Sequence, residues 1–352
     1  MRIKLLSVCL IALCGVSMFS FTPASHPAKL SDWNLFTGKL SALQPATGVV
    51  PYQLNTPLFS DYAEKLRFVK LPPNTSVQYQ AETVLSFPEG TMLIKNFYYP
   101  SATDTTQRKL IETRLLINRE GNWVPLTYVW ADDQSDAYLT LAGDEKEVAW
   151  KDANQVTQQV RYVVPNQNQC KGCHNVNESV QPIGPSVRQL NGTYAYATGT
   201  ENQLSYWSNH GMLSQLPALN TIPATPVWND ASTGSLDARA RAYLAINCAH
   251  CHRREGPAQT SGLFLTELEN NSTAIGIYKT PVAAGKGSGG RDYDIVPGNA
   301  EQSIIYYRML VDSPGERMPE LGRTGGHREG LALIKNWINQ MRPTEKKSTQ
   351  PL

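Results

Sequence analysis

The first pattern along the chain is an apolar run from Leu5 to about Phe21, set behind two cations, Arg2 and Lys4. Thr22-Pro23-Ala24-Ser25 follows, with small residues where signal peptidase cuts, so residues 1–24 read as a secretory signal cleaved after Ala24. An uncleaved anchor is the other reading, but the run is short for a span of about 20 residues and Pro23 closes it. A lipoprotein is excluded because Val8 and Leu13, not small residues, precede Cys9 and Cys14. No later stretch is apolar enough to span a bilayer, so the expected mature chain is exported to the periplasm and has no membrane span.

Further along, the pattern turns to short runs of β-branched and aromatic residues. They cover 76–80, 84–87, 92–99, 110–118, 123–130, 137–141, 147–150 and 159–164. Pro88-Glu89-Gly90, Glu120-Gly121-Asn122 and Asp132-Asp133-Gln134 supply turn chemistry between them. Residues 25–165 therefore read as an all-β, sandwich-like region, least regular over 31–70, where several prolines occur. From residue 166 the period changes to that of a helix. Leu236, Ala240, Tyr243, Leu244 and Cys248 share one helical face behind a Ser235 cap, and Leu331, Ile334, Trp337, Ile338 and Met341 share another. The expected whole is multidomain, with a β-rich region followed by a mainly α region.

Composition narrows the function classes. With 352 residues, 41% of them hydrophobic and 18% charged, the chain can fill about two compact domains, and disorder is excluded for most of it. Lys+Arg 32 against Asp+Glu 30 leaves no basic field, which removes nucleic acid from the candidate partners.

Cysteine placement carries the chemistry. Cys9 and Cys14 leave with the signal, and the remaining four form Cys170-Lys171-Gly172-Cys173-His174 and Cys248-Ala249-His250-Cys251-His252. Each is C-x-x-C-H: two thiols one helical turn apart reach the vinyl groups of one haem, and the adjacent imidazole falls beneath the iron. Disulfides, a zinc site or a redox C-x-x-C would not explain a histidine directly after each pair. Zinc ribbons also space their pairs about 15–20 residues apart, whereas 74 residues separate Cys173 from Cys248. The expectation is two covalently bound haem c groups, with His174 and His252 as proximal ligands. The domains then read as a first haem segment over 166–231, a cytochrome c-like domain over 232–345 and a tail over 346–352. Gly285-Lys286-Gly287-Ser288-Gly289-Gly290 matches a dinucleotide fingerprint in form only, because no helix follows it.

A sixth ligand usually comes from Met or His. For the second haem the candidate is Met318, in Gly315-Glu316-Arg317-Met318-Pro319-Glu320 ahead of the last helix; Met309 reads as core. For the first haem, His210, Met212 and His327 are all candidates, as is an open sixth position. Pro185 and Pro257 follow the two motifs and are candidates for holding the other ring nitrogen of each proximal histidine.

On these residues the chain resembles a family of uncharacterised exported di-haem c-type cytochromes. Further phrases carry the likeness: Asn55 to Tyr62, Ile94-Lys95-Asn96-Phe97, Ile111-Glu112-Thr113-Arg114, Asn168 to His174, Arg239 to His252 and Met318 to Arg323. The last domain separately resembles class I cytochrome c. The resemblance implies electron transfer in the periplasm, redox partner proteins, a β-rich N-terminal region and a possible neighbouring β-helix protein; it supplies no substrate. An electron carrier is thus the leading expectation. The alternative is a haem-dependent oxidoreductase, with an open site at the first haem or a substrate site in the β-region. Di-haem peroxidases put a haem domain first, whereas 169 residues precede Cys170 here.

Overall fold

A computed structural model describes residues 26–343, apart from 102, 103, 105, 106 and 153. The signal assigned to residues 1–24 and the tail at 346–352 lie outside the described residues.

Two short strands, β1 (Phe36–Thr37) and β2 (Gln44–Pro45), open the chain. A six-stranded antiparallel sheet follows, built from β3 (Val49–Tyr52), β4 (Glu64–Lys70), β6 (Met92–Pro100), β7 (Arg108–Arg119), β8 (Asn122–Trp130) and β9 (Ala137–Leu139), in that spatial order. β5 (Val77–Gln78) stays outside it and pairs in parallel with a distant segment, Leu213–Ser214. β10 (Asp144–Lys151) and β11 (Thr157–Val164) form a separate hairpin.

Period-two alternation divides the sheet residues between two faces. Phe68, Ile94, Leu115 and Leu126 stand opposite one another across β4, β6, β7 and β8, and Leu30, Leu35 and Leu43 cover them in one core. Each such side chain contributes about 1.5–3 kcal/mol on burial. The other face has three zones. Val69, Leu93 and Leu116 pack under Val187, Leu190, Leu204 and Trp207 at one end. Phe97 and Val129 pack under Val148, Trp150 and Tyr162 of the hairpin at the other. Between them lies a polar row, Arg67, Lys95, Arg114 and Thr127.

The expected sandwich is therefore corrected. One sheet and a two-stranded hairpin replace two facing sheets, and the second layer is irregular chain. β3 and β4 had no counterpart among the predicted runs: Pro51 interrupts one and Lys65 and Arg67 fall on the buried-side alternation of the other. Pro51 is tolerated because β3 is an edge strand. The expected strand at 84–87 reduces to a single bridge between Val84 and Ser186.

The expectation of a mainly α region after residue 166 is corrected as well. Its helices are α1 (Gln167–Cys173), α2 (Val187–Leu190), α3 (Gln203–Asn209), α4 (Leu236–Cys248), α5 (Ser272–Ile275), α6 (Ile304–Leu310) and α7 (Arg328–Gln340); only α4 and α7 reach 13 residues. Short antiparallel pairs, β12 (Asn175–Val176) with β13 (Ser179–Val180) and β14 (Thr193–Tyr196) with β15 (Gly199–Asn202), interrupt them, and loops supply most of the rest. Breakers explain this: α5 stops at Gly276, whose φ of 112° is a conformation L side chains rarely adopt. α4, α6 and α7 do share one core, with Tyr243, Leu244, Ile305, Ile334 and Trp337.

A strap over residues 55–62 joins the β-region to both later segments. Asn55 Nδ2 donates to the Asn191 and Thr225 carbonyls, each at 3.1 Å, and the Phe59 amide donates to Asn247 Oδ1 of α4 at 2.8 Å. Asp61 accepts from the Thr324 and Gly325 amides at 2.8 and 2.9 Å. Among the described residues no helix is long and apolar enough to cross a membrane.

Candidate functional site

The two C-x-x-C-H motifs are delivered by helices of different length. α1 begins on an Asn166–Gln169 capping box, buries Cys170 and ends at Cys173, with His174 as its cap residue. The longer α4, capped by Ser235, ends on Cys248, and a tight turn carries on, the Cys251 and His252 amides donating to the Cys248 carbonyl at 3.1 and 2.9 Å. Each motif thus presents two thiols and an imidazole from a short, locally fixed stretch.

Although far apart in sequence, the motifs meet. Cys173 and Cys251 lie within reach of each other's charge, and Cys170 lines the same cleft as Thr127 of the sheet. Beyond the motifs, the Asn177 amide donates to the Glu255 carbonyl at 3.0 Å. None of the four cysteines is in a disulfide.

Around them open two clefts. The first, about 1640 Å³ counted out to its mouth, lies between the polar row of the sheet, the α1 motif with the Pro182–Pro185 loop, and a far wall of Phe59, Tyr243 and His327. The second, about 1510 Å³, is bounded by Cys248, Cys251, His252, Leu263, Leu265, Ile304 and Arg308. Cys173, Asn247, Cys248, His250, Met309, Met318 and Leu321 belong to both, so one wall divides the two.

Electrostatics prepare the imidazoles as ligands. Burial lowers the pKa of His174, His252 and His327 to about 4, which keeps each ring neutral with a free lone pair at neutral pH. His174 Nδ1 lies 2.8 Å from the Gln181 carbonyl, which leaves Nε2 as the free nitrogen. Ser261 Oγ lies 3.4 Å from His252 Nδ1, and the same hydroxyl donates to the Ala258 carbonyl at 2.7 Å. Of the coupled thiols, Cys173 is shifted down and Cys251 up, because the Cys251 proton is shared toward the Cys173 sulfur.

Pro185 and Pro257 therefore do not orient the histidines; they line the first and second clefts respectively, and the Pro185 carbonyl accepts from Leu85. Nor do two of the candidate ligands approach the motifs. His210 is exposed and stacked on Tyr206 at 3.9 Å, and Met212 is packed in the core that contains Val77 and Trp207. His327 does line the first cleft, stacked on Phe59 at 4.2 Å with Nδ1 2.9 Å from the Tyr243 hydroxyl.

Met318 sits in the dividing wall. Its amide donates to the Arg308 carbonyl at 2.7 Å, and Arg323, buried, holds the loop by donating to the Met318, Arg308 and Val311 carbonyls. Met309 and His250, not singled out by spacing, also face both clefts, and His250 Nδ1 is buried without a partner.

A tetrapyrrole brings four nitrogens of its own and asks the protein for tethers and one or two axial groups. The residues present fit such a group: each cleft is mostly apolar, and the two cysteines and the histidine of one motif line each, Cys170, Cys173 and His174 the first and Cys248, Cys251 and His252 the second. Among the described residues, no three His, Cys, Asp or Glu side chains converge as a ligand set for a bare ion. No protein-family model matches the chain, and no match was found among curated proteins or solved structures.

Proposed function

We propose that the protein is an exported di-haem c-type cytochrome that passes electrons between redox partner proteins in the periplasm. The observation that carries this reading is the meeting of two C-x-x-C-H motifs, 74 residues apart, at one wall between two clefts. Cys170 and Cys173 would hold one haem and Cys248 and Cys251 the other, with His174 and His252 as axial ligands. Bound haem supplies an iron that cycles between ferric and ferrous states. The chain's own part is to tether, to orient and to exclude water.

Gln181 fixes one imidazole, Ser261 lies against the other, and burial keeps both unprotonated. Met318, pinned by Arg323 and Arg308, is the proposed second axial group of the haem at His252. For the haem at His174 the remaining candidate is His327. A shared wall supports rapid exchange between the haems, because transfer needs proximity and little rearrangement.

The test is haem content followed by potentiometry. Protein matured with a cytochrome c assembly system should retain haem on a denaturing gel, and Cys170→Ala/Cys173→Ala and Cys248→Ala/Cys251→Ala should each remove one of two groups. Wild-type protein without covalent haem would sink the proposal.

A further inference from the structure

The sheet face in the first cleft carries a charge arrangement that electron transfer alone leaves unexplained. Cross-strand pairing sets Arg67 opposite Lys95, and Lys95 opposite Arg114, so three cations stand side by side on β4, β6 and β7, and Thr127 of β8 ends the row. Lys65, two residues before Arg67, shares that face. Like charges directly opposite destabilise a sheet, and apolar residues of similar size would cost less.

Counter-charge falls short. Glu112 is paired to Arg114 and accepts from the Tyr162 hydroxyl at 2.6 Å. Asp61 is committed to the Thr324 and Gly325 amides. Arg67 is only 7% exposed, lines the cleft, and its Nη2 has no partner. Lys95 has the Phe97 ring 4.8 Å away but no carboxylate. Burial and the neighbouring cations push Lys65 and Lys95 well below the ordinary lysine range.

The geometry of the row selects the anion. Cys170 and Thr127 line the cleft together, with Thr127 at one end of the row. Arg67 lies three strands away, roughly 14 Å at about 4.8 Å per strand. In protohaem the vinyl groups that form thioethers lie on one half of the ring and the two propionates on the other. A porphyrin tethered at Cys170 and Cys173 therefore turns its carboxylates along the row toward Lys95 and Arg67.

We propose that Arg67 and Lys95 bind the propionates of the haem attached at Cys170 and Cys173, with Lys65 adding positive charge behind them. This rests on the di-haem reading and gives the β-region a cofactor-binding role. Other ionisable groups facing the cluster are Tyr52 on β3, Glu112 and Arg114 on β7, His174 after α1, Asp61 in the strap, and Arg323 and His327 from the C-terminal segment.

Holoprotein variants Arg67→Gln, Lys95→Gln and Arg67→Lys test it by haem count and by potentiometric titration from pH 5 to 8. The wave missing from Cys170→Ala/Cys173→Ala identifies the haem concerned. Wild type should show a pH-independent potential for that haem, because the cations keep the propionates ionised. Each Gln variant should keep two haems, show a lower potential at pH 8, and gain a slope in which potential falls with rising pH as a propionate loses its proton. Arg67→Lys should restore the flat profile. Should Arg67→Gln not accumulate, Lys95→Gln decides. Two bound haems with an unaltered profile overturn the propionate assignment alone, whereas absence of covalent haem in wild type overturns both readings. A free carboxylate or phosphate as occupant would show as a wild-type potential that shifts with added oxalate or phosphate at fixed ionic strength, and that result also overturns the assignment.

Discussion

Met318 and His327 illustrate how one side chain can be given its task by what holds it. The Met318 loop is fixed from both sides by Arg323 and by the Arg308 carbonyl. Met318→Ala should therefore leave the fold intact, abolish a sulfur-to-iron charge-transfer band and lower the potential of the haem at His252, because a thioether favours the ferrous state. A band that persists would assign the ligand elsewhere. His327 has a folded pKa near 4 because burial outweighs the attraction of Glu329. The unfolded chain, with an ordinary pKa of about 6.5, binds more protons between those values, so stability is full above pH 6.5 and falls as pH drops toward 4. The loss attributable to this ring is on the order of 3 kcal/mol. Urea unfolding of the haem-free protein as a function of pH should show a slope to which His174 and His252 contribute alongside His327, and His327→Gln should reduce that slope without abolishing it.

Among the elements, α4 and α7 cross at close range at Gly330. A Cβ placed on Gly330 of α7 would meet the Tyr243 hydroxyl of α4 and His327 Nδ1, and Trp337 Nε1 donates to Asp237 Oδ1 at 2.8 Å further along. Gly330→Ala has to displace Tyr243, and through it His327 in the wall of the first cleft. We expect a loss of about 1–3 kcal/mol, typical of overpacking, in chemical denaturation, despite the better helix propensity of alanine. The strap at 55–62 works at the same scale: it bonds to α4 and to the Thr324–Gly325 turn without belonging to any regular element.

Over the molecule as a whole, the question is whether either haem leaves a position open. With His327 in the first cleft and Met318 in the dividing wall, carbon monoxide should bind neither reduced haem appreciably. His327→Ala should then admit about one equivalent. Stoichiometric binding to the wild type would favour a haem-dependent oxidoreductase over a carrier, and an unreactive His327→Ala would place the sixth ligand on another residue.

How much of this was legible beforehand follows from which interactions are local. C-x-x-C-H spans five residues, so the tethers and imidazoles could be read from sequence, as could α4 and α7, whose apolar period repeats over three turns. β7 and β8 were legible as well, being runs rich in β-branched and aromatic residues joined by a tight turn. β4 was not picked out, although Lys65-Leu66-Arg67-Phe68 alternates polar and apolar, and only the facing strands show that its polar side is covered too and that Arg67 forms one row with Lys95 and Arg114. Spacing could nominate His210, Met212 and His327 but not choose among them, since the choice depends on which loop folds back over which cleft. The residue types, and with them the proposed haem attachment, were thus read from the sequence itself. That the two motifs share a wall and that Arg67, Lys95 and Arg114 line one cleft were decided by strand register and chain crossings between segments tens of residues apart or more, and that Gln181 and not Pro185 orients His174 by how the loop after α1 folds back, none of which a local pattern encodes.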